Sequence, residues 1–209
     1  MLTFALSKGR LADKILAYLK KLGVCDIHIT EDDRRLIIES ENKAFRFFLA
    51  KPSDVPTFVE YGVADLGVVG KDTILEENRD ITEVLDLGFG KCRMCVCAKK
   101  ESKLNYLEYP VLRVATKYPN IAKRYFESHH QNTDIIKLNG SVELGPITGL
   151  SDVIVDIVES GKTLKENGLE AITTICDLSA RLIANNASIK TKYEEIHEII
   201  QGLQDLLEG

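Results

Sequence analysis

The sequence predicts an α/β protein with largely parallel sheets, and three observations carry that expectation. Short apolar runs alternate with segments of helical apolar spacing, the pattern of strand–helix–strand units. The alternation fills both halves of the 209 residues without a low-complexity linker, and this length suits two small lobes with a cleft between them. Charged, glycine-bearing loops follow predicted strands, where ligands of such sheets sit.

Taken in order, LTFAL is a buried strand, and LADKILAYLKKLG is a helix closed by Gly23. HITEDDRRLIIES reads as two strands around a charged turn, and AFRFFLA as a further strand. Ser53 is placed to cap the helix DVPTFVEYG, with Pro56 tolerated near its start. ADLGVVG is a strand, DTILEEN a helix, and strands follow around VLDLGF and CRMCVCA. The second half continues with strand LRVATK, helix YPNIAKRYFESHH, strand DIIKL and the turn-rich connection NGSVELGPITG. Strand VIVDIV, a short helix TLKENGL and strands AITTI and ARLIANN come next. The end, KTKYEEIHEIIQGLQDLLEG, is an amphipathic helix.

Composition narrows the class. Hydrophobic residues are 44% and charged residues 28%, the balance of an ordinary soluble globule. A net charge of −5 argues against a nucleic-acid binder, which holds phosphates with a basic surface. MLTFALSKGR lacks the order of charge and apolar run that a secretory signal needs, and no run has the length of a membrane span. Five cysteines (Cys25, Cys92, Cys95, Cys97 and Cys176) fit a reduced cytoplasm. In KCRMCVCAKK, strand alternation puts Cys95 and Cys97 on one face and Cys92 on the other. Buried, inert thiols are expected there in preference to a metal site.

The stretch DIVESGKTL, Asp156–Leu164, ends in the Gly-Lys-Thr of a nucleotide-binding loop. The pattern needs a glycine five positions earlier, and Asp156 stands there. A carboxylate would repel a polyphosphate. A strand, a tight turn and a helix start still suit one compact phosphate, and the acids before them suit sugar hydroxyls or a hydrated cation. A phosphorylated sugar has both halves; a plain helix cap on a strand–helix turn is the other reading. In the first half, Ser7-Lys8-Gly9-Arg10 flanks a glycine with two cations after strand one. Arg34 and Arg35 stand in DDRRL, Lys51 ends a strand in AKPSD, and Asp65 and Gly67 lie in DLGVVGKD. Glu143 in SVELGP either faces the cleft or caps a turn. No Ser-His-Asp or Cys-His set is evident, so stabilisation of charge on a phosphorylated leaving group fits better than covalent catalysis.

Four blocks, LSKGRL, DVPTFVEYGVADLGVVGKD, VATKYPNIAKRYF and ELGPITGLSDVIVDIVESGKTL, stand in an order that resembles the short form of the ATP phosphoribosyltransferase family, over essentially the whole chain. Gly145 and Ser151 replace alanines that are commoner in the family's blocks. The resemblance implies the fold of type II periplasmic binding proteins, with the active site in the cleft. Residues 1–88 plus 179–209 would form one lobe, carrying the basic loops, and 89–178 the other, carrying the phosphoribosyl loop. It implies that N1 of ATP attacks C1 of 5-phosphoribosyl diphosphate (PRPP), the first step of histidine biosynthesis, with Mg2+ brought in by the substrates. Ser160, Gly161, Lys162 and Thr163 would hold the 5-phosphate, and Asp156 and Glu159 would meet the ribose hydroxyls. Arg10 and Arg34 would be catalytic, meeting the departing pyrophosphate. Lys8, Gly9, Arg10, Lys51, Asp65, Gly67 and Glu143 would line the ATP side. A homodimer of catalytic chains is implied, joined in a hetero-octamer by a histidyl-tRNA synthetase-like regulatory subunit. A non-catalytic small-anion binding module of the same fold is the competing expectation.

Overall fold

LTFAL becomes β1, Leu2–Ser7, with all six residues buried, as a strand covered on both faces requires. Its side chains alternate between two layers. Leu2, Phe4 and Leu6 join one apolar cluster and Ala5 joins another. The helix α1, Arg10–Lys21, buries Ala12, Ile15, Leu16 and Leu19, one face at 3–4 spacing. It ends in a Schellman motif: Gly23 adopts φ 70°, Val24 N–H donates to Leu19 O and Gly23 N–H donates to Lys20 O. Gly23 is therefore the residue that closes the helix.

This computed structural model describes residues 1–24, 35–100 and 108–208. The chain divides into one unit of Met1–Gly90 with Ser179–Gly209 and a second of Lys91–Leu178. In the first unit the chain continues through β2 (Ile37–Glu39), β3 (Phe45–Ala50), α2 (Val55–Glu60), β4 (Leu66–Gly70), α3 (Lys71–Glu77) and β5 (Thr82–Asp86). The strand expected in the first part of HITEDDRRLIIES, and Arg34 and Cys25, lie outside the described residues. Ser53 does not cap α2: Pro52–Asp54 form a 3-10 turn that starts the segment earlier, and Asp54 takes the cap position.

The second unit holds β6 (Cys92–Lys99), β7 (Leu112–Thr116), α4 (Pro119–Ser128), β8 (Thr133–Lys137), α5 (Leu144–Thr148), β9 (Val153–Val158), α6 (Lys162–Glu166) and β10 (Leu169–Leu178). The chain then returns to the first unit as β11 (Ala180–Ala184), α7 (Ser188–Thr191) and α8 (Tyr193–Glu208). The connection NGSVELGPITG contains one helix, α5, which its glycine and proline had concealed.

The first sheet has the order β2-β3-β1-β4-β11-β5, with β1 parallel to β3 and β4, and β11 antiparallel to β4 and β5. Residues of α1 and α8 share a cluster with Phe4, Phe47 and Leu182, while Val55 and Val59 of α2 pack with Ala5, Val69 and Ile183. The second sheet has the order β10-β6-β9-β7-β8, with β7 parallel to β8 and β9, and β6 antiparallel to β9 and β10. Among the described residues no helix is long and apolar enough to cross a membrane.

Candidate active site

In the second unit the three parallel strands point their carboxyl ends the same way, so the loops after β7, β8 and β9 share one edge. After β9 come Glu159-Ser160-Gly161, then α6. Gly161 stands at φ 72°, the left-handed region open to glycine, and lets the chain turn straight from strand to helix. Ser160 Oγ accepts the Lys162 N–H at 3.4 Å. The Lys162 side chain is 80% exposed, and its ammonium lies 3.9 Å from Glu166 in a surface pair one helical turn long. Two hydroxyls (Ser160 and Thr163) and a mobile-stemmed cation thus stand on one exposed turn, a donor set suited to phosphate oxygens.

Asp156 sits three residues before that turn, on β9, and is partly buried. Burial pushes its carboxyl above the usual carboxylate range, and the charge of Glu143 adds to the rise; the Ile157 backbone and the charge of Lys117 oppose it. Glu143 and Lys117 are therefore its electrostatic neighbours. Lys117 follows β7 at a turn that Thr116 holds: the Thr116 hydroxyl donates to Val155 O at 2.6 Å and accepts the Tyr118 N–H at 2.8 Å. Glu143 precedes α5, whose Gly145 and Pro146 are buried. Lys117 was missed in the sequence; its signal was its place directly after a strand, within the block VATKYP.

Cys95 and Cys97 lie on the same sheet face and are fully buried among Ala115, Ile154 and Val158. Burial pushes the Cys97 thiol up to about 12, with Cys95 and Asp156 adding to the rise, so it stays protonated and unreactive. Among the described residues no group of three or more His, Cys, Asp or Glu has the arrangement to hold a metal ion.

In the first unit, Lys8, Gly9 and Arg10 follow β1, and Lys51 follows β3. The register sets Ser7 beside Ala50, so both loops leave adjacent strands at the same edge. Gly9 has φ 110°, a conformation that L side chains rarely adopt, and Lys8, Gly9, Arg10 and Lys51 are all exposed.

Two expectations are corrected here. Asp65 precedes β4 and stands at the amino end of the parallel strands, opposite those loops. It is 5% exposed and accepts hydrogen bonds from the Thr3 N–H, the Ser188 hydroxyl and Lys192, so it is a fastening of the fold. Gly67 lies inside β4, where a Cβ would come within 2.8 Å of Val59 Cγ2 and 2.9 Å of Val55 Cγ1. It is glycine because α2 packs onto the strand.

Two α/β units with parallel central strands, one with a basic strand edge and one with a hydroxyl-bearing turn, have the two-lobed fold of the type II periplasmic-binding-protein kind. A likeness of fold alone extends to the solved substrate binding protein of an amino acid ABC transporter, at TM-score 0.59 and 14% identity over 98% of this chain and 93% of that one. The family model HisG: ATP phosphoribosyltransferase matches residues 51–205. A relative from Lachnospira eligens, named ATP phosphoribosyltransferase, is 54% identical over 209 residues, covering 99% of this chain and 97% of that one. The solved ATP phosphoribosyl transferase (HisG:HisZ) complex from Thermotoga maritima matches at TM-score 0.85 and 38% identity, over 100% and 99% of the two chains. The chain belongs to the ATP phosphoribosyltransferase family.

Proposed function

We infer that this chain is the catalytic subunit for the first step of histidine biosynthesis, joining ATP and PRPP. The observation that carries the reading is identity of 54% along the whole chain with a protein of that name. In the reaction the lone pair of adenine N1 forms a bond to C1 of the ribose, the C1–O bond breaks with inversion, and pyrophosphate leaves with the bonding electrons. The adenine gives up a proton from its amino group, and N1-(5-phosphoribosyl)-ATP results.

The residues take roles that their chemistry suits. Ser160, Gly161, Lys162 and Thr163 wrap the 5-phosphate, and Asp156 and Glu159 accept hydrogen bonds from the ribose hydroxyls. Arg10 and Arg34 receive the pyrophosphate, because an arginine fork matches two phosphate oxygens and its attraction grows as the leaving group gains charge. Lys8, Gly9 and Lys51 line the ATP side, with Glu143. Mg2+ travels on the polyphosphates of the substrates. The solved HisG:HisZ complex from Thermotoga maritima supports pairing with a regulatory subunit. The assembly proposed for this chain is a catalytic homodimer joined by a histidyl-tRNA synthetase-like regulatory subunit into a hetero-octamer, in the cytoplasm.

The test is direct. The purified chain is mixed with ATP, PRPP, Mg2+ and a pyrophosphatase, with and without the regulatory subunit, and the ultraviolet change of N1-ribosylated adenine is followed. A PRPP-dependent signal in either arm is expected. Silence in both arms, with the complex shown to form, overturns the reading in favour of a binding module.

A further inference from the structure

The face of the second sheet that carries Asp156 holds a polar row across three strands. The register sets Asp156 of β9 opposite Cys95 of β6, and Cys95 opposite Thr174 of β10. Residues directly opposed in an antiparallel pair share a face. The Cys95 sulfur and the Thr174 hydroxyl lie 3.8 Å apart, which places Thr174 on that face. A register shift between Thr174 and Cys176 sets Thr174 there.

Arg93 joins this row. It is paired with Val158, the last residue of β9 before Glu159-Ser160-Gly161, so its backbone lies beside the start of that turn. Its guanidinium Nη1 reaches the Thr174 hydroxyl at 3.5 Å, at the outer limit of a hydrogen bond. Arg93 is exposed, and among the described residues it forms no ion pair. Asp177 is its cross-strand neighbour on β10, yet it does not pair with Arg93. The other arginines of this unit do not offer the same feature: Arg113 is held by Asp152 at the opposite edge, and Arg124 lies on α4. A guanidinium without a carboxylate, about two strand spacings (about 10 Å) from Asp156, lies within the length of a ribose carrying phosphates at both ends.

We propose that Arg93, steadied by the Thr174 hydroxyl, is a phosphate-binding residue of this site and takes the diphosphate end of PRPP. The proposal rests on the transferase reading above. The Ser160–Thr163 turn and the Arg93–Thr174 pair then hold the two phosphate-bearing ends of one phosphorylated sugar. Arginine suits the far end because its planar fork meets two oxygens of a diphosphate at once.

The experiment compares wild type with Arg93→Met, Arg93→Lys, Thr174→Val and Lys99→Met. The last removes an exposed cation from the other end of β6. KM for PRPP and for ATP, kcat, thermal stability and calorimetric binding of Mg-pyrophosphate are measured on each, with the regulatory subunit present. Arg93→Met is expected to raise KM for PRPP and weaken pyrophosphate about tenfold or more, the scale of one lost charge-assisted hydrogen bond. Its melting temperature should match wild type. Arg93→Lys should recover part of the loss, Thr174→Val should give a smaller rise, and Lys99→Met should give none. A rise confined to KM for ATP keeps Arg93 as a phosphate ligand and moves it to the triphosphate. Unchanged KM for both substrates, or a loss that only tracks melting temperature, overturns the proposal. A wild-type chain that binds PRPP but does not turn over defeats the transferase reading alone; the pyrophosphate titration still decides Arg93. A wild type that binds neither PRPP nor pyrophosphate defeats both.

Discussion

Lys192 Nζ lies 2.7 Å from Asp65 Oδ2, joining residues 127 apart in the chain. The same ammonium donates to Met1 O, and Asp65 also accepts from the Thr3 N–H and the Ser188 hydroxyl. The chain start, the head of β4 and the entry to α8 are thus tied at one carboxylate. Asp65→Asn is expected to destabilise the protein by about 2–4 kcal/mol. Lys192 keeps 34% of its side-chain surface in water, which softens the loss below that of a fully buried pair. Burial opposes ionisation of Asp65, but the hydrogen bonds from Lys192, Ser188 and Thr3 outweigh it, and the carboxyl is held below its usual range. The fold therefore gains stability above the ordinary carboxylate value and loses it as pH falls through the lowered one. Urea unfolding of wild type and variant between about pH 2 and pH 7 checks this: the two curves should converge in acid. A constant gap would remove the ion pair as its source.

Gly67→Ala tests the packing account of β4. The new methyl would sit 2.8 Å from Val59 Cγ2 and 2.9 Å from Val55 Cγ1, and overpacking of this kind costs about 1–3 kcal/mol. Melting temperature should fall while KM for ATP holds. The reverse result, a stable protein with weakened ATP binding, would return Gly67 to the site.

Gly145 and Ser151 are coupled by their packing. A Cβ on Gly145 would meet Ser151 Oγ at 2.5 Å and Ala115 Cβ at 2.8 Å. The Ser151 hydroxyl is buried without a hydrogen-bond partner among the described residues, so Ser151→Ala should be neutral or mildly stabilising. Gly145→Ala should destabilise the wild type more than it destabilises Ser151→Ala, with a coupling of about 0.5–3 kcal/mol. A double-mutant cycle by chemical unfolding measures it, and additivity would sink the idea.

Burying the Asp156 carboxyl costs the fold stability once the group is ionised. Burial and Glu143 raise its folded pKa, so as pH rises the unfolded chain ionises first and stability declines through that window. Asp156→Asn removes the penalty. Its melting temperature should match wild type near pH 4 and exceed it near pH 8. Its KM for PRPP should rise about tenfold, since the amide accepts fewer hydrogen bonds from the sugar than a carboxylate does. A variant no more stable at pH 8 would show the carboxylate to be compensated.

Arg34→Ala should lower kcat by the equivalent of about 2.7–4 kcal/mol, the scale of one preorganised donor to a developing charge. Steady-state kinetics at saturating substrates decide it, and a near-wild-type kcat would take Arg34 out of the catalytic role.

Local patterning is enough to draw most of this protein. The spacing of Ala12, Ile15, Leu16 and Leu19 marks α1, the run VIVDIV marks β9, and Ser160-Gly161-Lys162-Thr163 announces a tight strand-to-helix turn, because each depends on residues within a few positions of one another. Pairing between distant strands is a different matter. DLGVVGKD does not say which end of β4 Asp65 occupies relative to β1, and Lys192, 127 residues away, is what makes it a fastening. Gly67 resembles a ligand-loop glycine until Val55 and Val59 of α2 are seen against it. α5 forms from LGPIT, a poor helix former, once Gly145 and Pro146 are buried. Thr174 reaches the row of Asp156 and Cys95 through a register shift, and strand alternation alone does not reveal such an irregularity. Contacts between residues far apart in sequence depend on backbone pairing and packing, and those are settled only when the chain closes on itself.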